Sequence, residues 1–156
     1  MAAKKMAIIA TKGALDMAYP PLILASTAAA LGWEVQIFFT FYGLQLLRKD
    51  LSGIAISPIG NPAMPMPVPM PVVVSVLPGM KAIATSMMKA KMKKKGVASL
   101  EELRSLCLEA DVKFIACQMT VDLFEFKKDD FIDGLEYGGA ATFMKFAGET
   151  DVCLFI

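Results

Sequence analysis

An α/β fold, built on a parallel sheet with helical crossovers, is what the order of segments along this chain predicts. Three observations carry the prediction. Short apolar runs rich in β-branched and aromatic residues recur along the chain, among them Met6-Ala7-Ile8-Ile9-Ala10, Glu34 to Thr40 and Val112 to Cys117. Segments with helical length and helical end signals lie between them, and parallel strands require crossovers of that kind. The length of 156 residues (16.8 kDa) fits a single domain spanning 1–156.

Each element has its local reason. Lys4 to Thr11 is an apolar strand that closes in Thr11-Lys12-Gly13. A helix follows from Leu15 or Pro21 to Leu31, with Pro20 and Pro21 expected in its first turn and Gly32 as its stop. The uncharged stretch from Met17 to Trp33 is seventeen residues long, at the short limit for a membrane span, and reads as a buried crossover helix. Glu34 to Thr40 is the second strand and Phe41 to Lys49 a short helix. Ser99 is expected to cap a helix running to Ala110, with Glu101 and Glu102 in its first turn and Leu100, Leu103, Cys107 and Ala110 on its core face. Val112 to Cys117 is the third strand, and a short helix follows Thr120. A turn is expected at Asp129 or Asp130, a fourth strand at Leu135 to Tyr137, a helix from Gly138-Gly139 to Phe146 and a last strand at Asp151 to Phe155.

An insertion at about 51–95 interrupts this rhythm. It holds seven of the twelve methionines between Met64 and Met92, six lysines between Lys81 and Lys95, and no acidic residue. Its Pro-x-Pro spacing from Pro65 to Pro71 removes alternate backbone donors and forbids a regular helix, so it is unsuited to crossing a bilayer. Gly79 to Lys95 predicts a helix with Met80, Ile83, Ala84, Met87 and Met88 on one face. The insertion reads as a lid, an oligomer contact or an arm. The net charge of +1 conceals +6 in this insertion and −7 in residues 96–156.

Composition excludes several chemistries. The chain has no histidine, which removes His-based metal sites, Ser-His-Asp triads and imidazole bases. The near-neutral total provides no field for nucleic acid. No Gly-x-Gly-x-x-Gly or Walker pattern supports a nucleotide or flavin site. The acidic stretch from Asp122 to Glu136 lacks EF-hand spacing and reads as a solvated face, so neither a metal nor a cofactor is expected.

Three cysteines are too few and too odd in number for a disulfide scaffold, and no Cys-x-x-Cys is present. With no secretory signal visible, a reducing compartment is expected. Cys117 falls at the carboxyl end of a predicted strand and before a helix start, where ligands bind in open α/β sheets and where a thiolate is stabilised. By position alone it is either a nucleophile or a small buried hydrophobe. Cys107 is either structural or a second, resolving thiol, and Cys153 is expected in the core.

Several segments together resemble the DsrE/DsrF/DrsH-like family, in particular its DsrE2-like branch often labelled "peroxiredoxin family". They are Phe38-Phe39-Thr40-Phe41-Tyr42-Gly43-Leu44, Met87-Met88-Lys89 to Lys95, Ser99-Leu100-Glu101-Glu102-Leu103, Ile115-Ala116-Cys117-Gln118-Met119-Thr120, Ile132-Asp133-Gly134 with Tyr137-Gly138-Gly139, and the terminal Asp151-Val152 strand. The resemblance implies a three-layer α/β/α fold with a five-stranded parallel sheet, and a homo-oligomer, trimer or hexamer, in the cytoplasm. It also implies sulfur trafficking, with a persulfide or thiosulfonate carried on Cys117 and exchanged with TusA-like or rhodanese-like carrier proteins. Around Cys117, the pocket candidates are Thr11, Gly13, Thr40 and Gly43 from the loops after the first two strands, with Gln118, Met119 and Thr120 from the helix start. The chain lacks a peroxiredoxin Pro-x-x-x-Thr-x-x-Cys motif, so no peroxidase activity is expected. The competing reading is a non-catalytic binding or assembly module that uses the Met/Pro/Lys insertion to contact a subunit, a partner or, less favoured, a membrane surface.

Overall fold

Five strands form one parallel sheet: β1 (Lys5–Ala10), β2 (Glu34–Phe39), β3 (Lys113–Cys117), β4 (Glu136–Gly138) and β5 (Val152–Phe155), in the order β4-β3-β2-β1-β5. This is a computed structural model, describing residues 3–58, 68 and 71–156. The inner strands are apolar on both faces because a parallel sheet is covered on both. On one face Ile8, Ile37, Phe39, Phe114 and Ala116 meet the helices α1 (Leu15–Ala30) and α3 (Leu100–Glu109). On the other, Ala7, Phe38, Ile115 and Cys117 meet Phe143 of the eight-residue helix α5 (Ala140–Ala147). The layers are therefore α/β/α, one thick and one thin.

The sequence placed the strands correctly, and the deviations each have a cause. Pro20 and Pro21 lie in the second turn of α1, not its first. Burial of Leu15, Ala18 and Tyr19 against the sheet extends the helix upstream of them, and the Leu15 amide is held by the Ala55 carbonyl at 2.8 Å. The two prolines leave the Asp16 and Met17 carbonyls without their usual helical donors. Phe41–Leu47 is a 3-10 helix, tighter than the expected α-helix.

In the insertion, the helix α2 (Met80–Lys94) turns Met80, Ala84, Met88 and Met92 toward the core, while Ile83 and Met87 of the predicted face are exposed. Val72–Val76 is a 3-10 turn. Most of the proline-rich segment (59–67, 69 and 70) lies outside the described residues. Among the described residues no helix is long and apolar enough to cross a membrane.

Two expectations about the core are corrected. On α3 the buried residues are Leu100, Leu103, Arg104 and Cys107; Ala110 is exposed, because the helix has already ended and the chain turns through Asp111 at φ 59°. Ser99 caps this helix as expected, in a reciprocal capping box with Glu102. Cys153 is exposed, not core. It stands on the edge strand β5, beyond the cover of α5, and Phe155 beside it is 74% exposed.

Candidate functional site at the end of strand three

The sheet changes sides at Cys117. After β3 the chain enters the short helix α4 (Gln118–Leu123), whose Val121 joins the larger core; after β4 it enters α5, whose Phe143 joins the smaller one. Cys117 pairs in register with Gly138, so its side chain stands at the seam where adjacent strands depart to opposite faces. Open α/β sheets bind their ligands at such a seam.

The helix begins one residue after the cysteine, upstream of the start expected beyond Thr120. That shift brings the Met119 and Thr120 amides and the Thr120 hydroxyl back toward the sulfur, while β2 delivers the Thr40 hydroxyl from the side. The Thr40 and Thr120 hydroxyl oxygens are 3.1 Å apart, and the Phe41 amide donates to Thr120 Oγ1 at 3.3 Å. Phe41 adopts φ 48°, a left-handed conformation disfavoured for an aromatic residue, at the turn from β2 into the 3-10 helix. Cys117 is buried, at 5% exposure. Burial pushes its thiol up, but hydrogen bonds from the Thr120 hydroxyl and amide, the Thr40 hydroxyl and the Met119 amide outweigh burial and leave it below its ordinary value. These donors are all uncharged.

The DsrE/DsrF/DrsH-like family profile matches residues 2–155. The chain belongs to this family. It is 66% identical to "Sulfur carrier protein DsrE2" of Allochromatium vinosum, over all of both chains. It is 33% identical to "Uncharacterized protein YrkE" of Bacillus subtilis, over 98% of this chain and 97% of that one. The ychN protein of E. coli shares the fold, at 12% identity and a TM-score of 0.55 over 98% of this chain and 99% of that one.

Within this DsrE-like fold the sequence-selected residues separate into those that meet the thiol and those that do not. Thr40, Met119 and Thr120 meet it. Gln118 turns its carboxamide to Asp122 at 2.7 Å. The Thr11 hydroxyl donates to the Ile156 carbonyl at 3.1 Å, tying β1 to the end of the chain. Gly43 supports the site from behind: a Cβ there would run into the Ala10 carbonyl, and its amide donates to Thr11 and Thr40 carbonyls at 3.1 and 3.0 Å. Gly13 lines a separate cleft of about 890 Å³ with Lys12, Tyr42, Arg48 and Lys81; Cys117 is not part of its wall.

Cys107 lies on the opposite face of the sheet, donates to the Leu22 carbonyl at 3.4 Å and is pushed by burial up to about 11. The structure does not bring it to Cys117. Among the described residues, no group of three or more Cys, Asp or Glu is placed to hold a metal ion.

The sequence reading missed an aromatic chain beside the site. Phe124 contacts both Phe41 and Tyr42, with centroids 6.3 and 6.0 Å away, and continues through Phe126 to Phe131. Its only signal was the Phe124-x-Phe126 spacing, which reads equally as a strand fragment.

Proposed function

We propose that this protein carries sulfur on the Cys117 Sγ and passes it between partner proteins. The observation that carries the reading is a buried thiol at the end of β3, where α4 begins, beside the Thr40–Thr120 hydroxyl pair; hydroxyl and amide donors there hold it below its ordinary value against the effect of burial. Its 66% identity to a protein named as a sulfur carrier supports the same cargo. The thiolate attacks the outer sulfur of a donor persulfide. The donor's S–S bond breaks, its thiolate leaves with the bonding electron pair, and the outer sulfur stays on Cys117 as a persulfide. An acceptor thiolate then attacks that outer sulfur and Cys117 leaves as the thiolate. No net oxidation occurs. Tetrathionate loads the site in the same way, releasing thiosulfate and leaving a thiosulfonate on Cys117. Thr40, Thr120 and the Met119 amide serve both half-reactions, because they stabilise the thiolate as nucleophile and as leaving group.

Donors and acceptors in this reading are TusA-like or rhodanese-like proteins in the cytoplasm, and the working form is a homo-oligomer, a trimer or hexamer, of single-domain chains. Mass spectrometry after polysulfide or tetrathionate treatment tests it. An adduct is expected on the Cys117 peptide and absent from Cys117→Ser. Labelling confined to the exposed Cys153 would overturn it.

A second reading, a contact role for the insertion, is favoured by one observation. Val73, Val76, Leu77, Ile83 and Met87 are exposed beside the lysines of α2. A variant lacking 59–95 that still loads Cys117 but changes oligomeric state or loses partner binding would separate this role from sulfur carriage.

A further inference from the structure

Arg104 lies in the apolar stripe of α3, among Leu100, Leu103 and Cys107, and only 8% of it reaches solvent. It forms no salt bridge among the described residues. Its Nη1 donates to the Leu46 carbonyl at 2.9 Å and the Arg48 carbonyl at 2.6 Å. A guanidinium withdrawn from water must recover its lost hydration through such bonds, so its contacts indicate its role. Both of these bonds go to one short stretch, residues 46–48.

Two segments meet at that stretch. Upstream, the 3-10 helix Phe41–Leu47 runs back to Thr40. Across from it, Arg48 pairs antiparallel with Phe131, the Ile132 amide donates to the Leu47 carbonyl at 2.9 Å, and the Lys49 amide donates to the Asp130 carbonyl at 2.9 Å. Residues 130–132 follow α4, the helix that carries Thr120. The Arg48 guanidinium also lies 5.8 Å from the Phe126 ring centroid, closing the same junction from the surface. The two hydroxyls beside Cys117 therefore stand on segments that rejoin at 46–48.

We propose that Arg104 is a positioning residue for the Cys117 thiolate: it clamps the 46–48 junction and so fixes the distance between Thr40 and Thr120. The proposal rests on the reading of Cys117 as the reactive thiol. The donors to the Cys117 sulfur are uncharged and the Arg104 hydrogen bonds go to 46–48, so the route from Arg104 to the sulfur runs through the position of those donors.

The test is the pH profile of Cys117 alkylation by iodoacetamide, read on the Cys117 peptide by mass spectrometry. Arg104→Met is expected to slow alkylation at neutral pH about tenfold and move the midpoint upward, and Arg104→Lys to recover part of the loss. Leu103→Ala, on the same helix and in the same core but with no hydrogen bond to 46–48 among the described residues, controls for general loosening and is expected to leave the midpoint in place. If Arg104→Met does not fold, Arg104→Lys against Leu103→Ala carries the comparison. An unchanged midpoint in the folded Arg104 variants, or an equal shift in Leu103→Ala, would overturn the proposal. Alkylation does not depend on sulfur loading, so the proposal and the sulfur-carrier reading fail by different measurements.

Discussion

The Thr40 and Thr120 hydroxyl oxygens lie 3.1 Å apart, joining the end of β2 to the first turn of α4 across 80 residues of sequence. The pair lies beside the Cys117 sulfur, and both members are among its donors. Thr120→Val keeps the shape of the side chain and removes the hydroxyl. A hydrogen bond to a charged group contributes about 1.5 kcal/mol or more, so alkylation of Cys117 at neutral pH is expected to slow about tenfold. A stopped-flow rate equal to that of the parent protein would mean the hydroxyl does not reach the thiolate.

The two buried thiols are expected to affect stability in opposite senses. Cys107 is pushed up to about 11, so the folded chain holds its proton where the unfolded chain, near 9, has released it. Its contribution is complete below about pH 9 and is lost as pH rises toward 11, amounting to about 2 to 3 kcal/mol. Cys117 is held below 9, so its contribution is present at alkaline pH and lost as pH falls through its folded value. Urea unfolding between pH 8 and 11 should therefore show an alkaline loss of stability that shrinks in Cys107→Ala.

Gly43 has no room for a side chain, because a Cβ would meet the Ala10 backbone. Gly43→Ala is expected to destabilise the fold by about 1 to 3 kcal/mol. Displacement of Thr40 should also slow Cys117 alkylation, which a purely stabilising glycine would not do. Thermal melting together with the alkylation rate distinguishes the two.

The three thiols are expected to react in a fixed order with a thiol reagent under native conditions. Cys153 is exposed and reacts first. Cys117 is small in exposed area but acidic, and follows. Cys107 reacts only on unfolding, since it is fully buried and its proton is held. Peptide mapping after timed labelling gives the order. Early labelling of Cys107 would contradict the packing of α3.

Much of the fold was legible from local chemistry. The apolar runs located all five strands, Ser99 with Glu102 gave a true capping box, and Gly32 ended α1 as expected. Cys117 was selected because strand ends and helix starts are readable from sequence. What local chemistry could not reveal was which residues share a face with a distant neighbour. Nothing in the sequence around Arg104 points to its role, because its two carbonyl partners lie 58 and 56 residues away. Cys153 looked like core because its strand is wholly apolar; strand order, not strand composition, put it at an uncovered edge.

Local composition and pattern specify the strand–helix order, the absence of imidazole chemistry and the thiol at the end of the third strand. These follow from residue type and spacing, which act over a few residues. Long-range packing puts Cys107 and Cys117 on opposite faces of the sheet. It also decided that Thr40 and Thr120 converge on one of these thiols while Thr11 and Gln118 turn elsewhere. Those outcomes depend on the register of parallel strands and on where each crossover helix packs. Both are fixed by burial of apolar surface over the whole sheet.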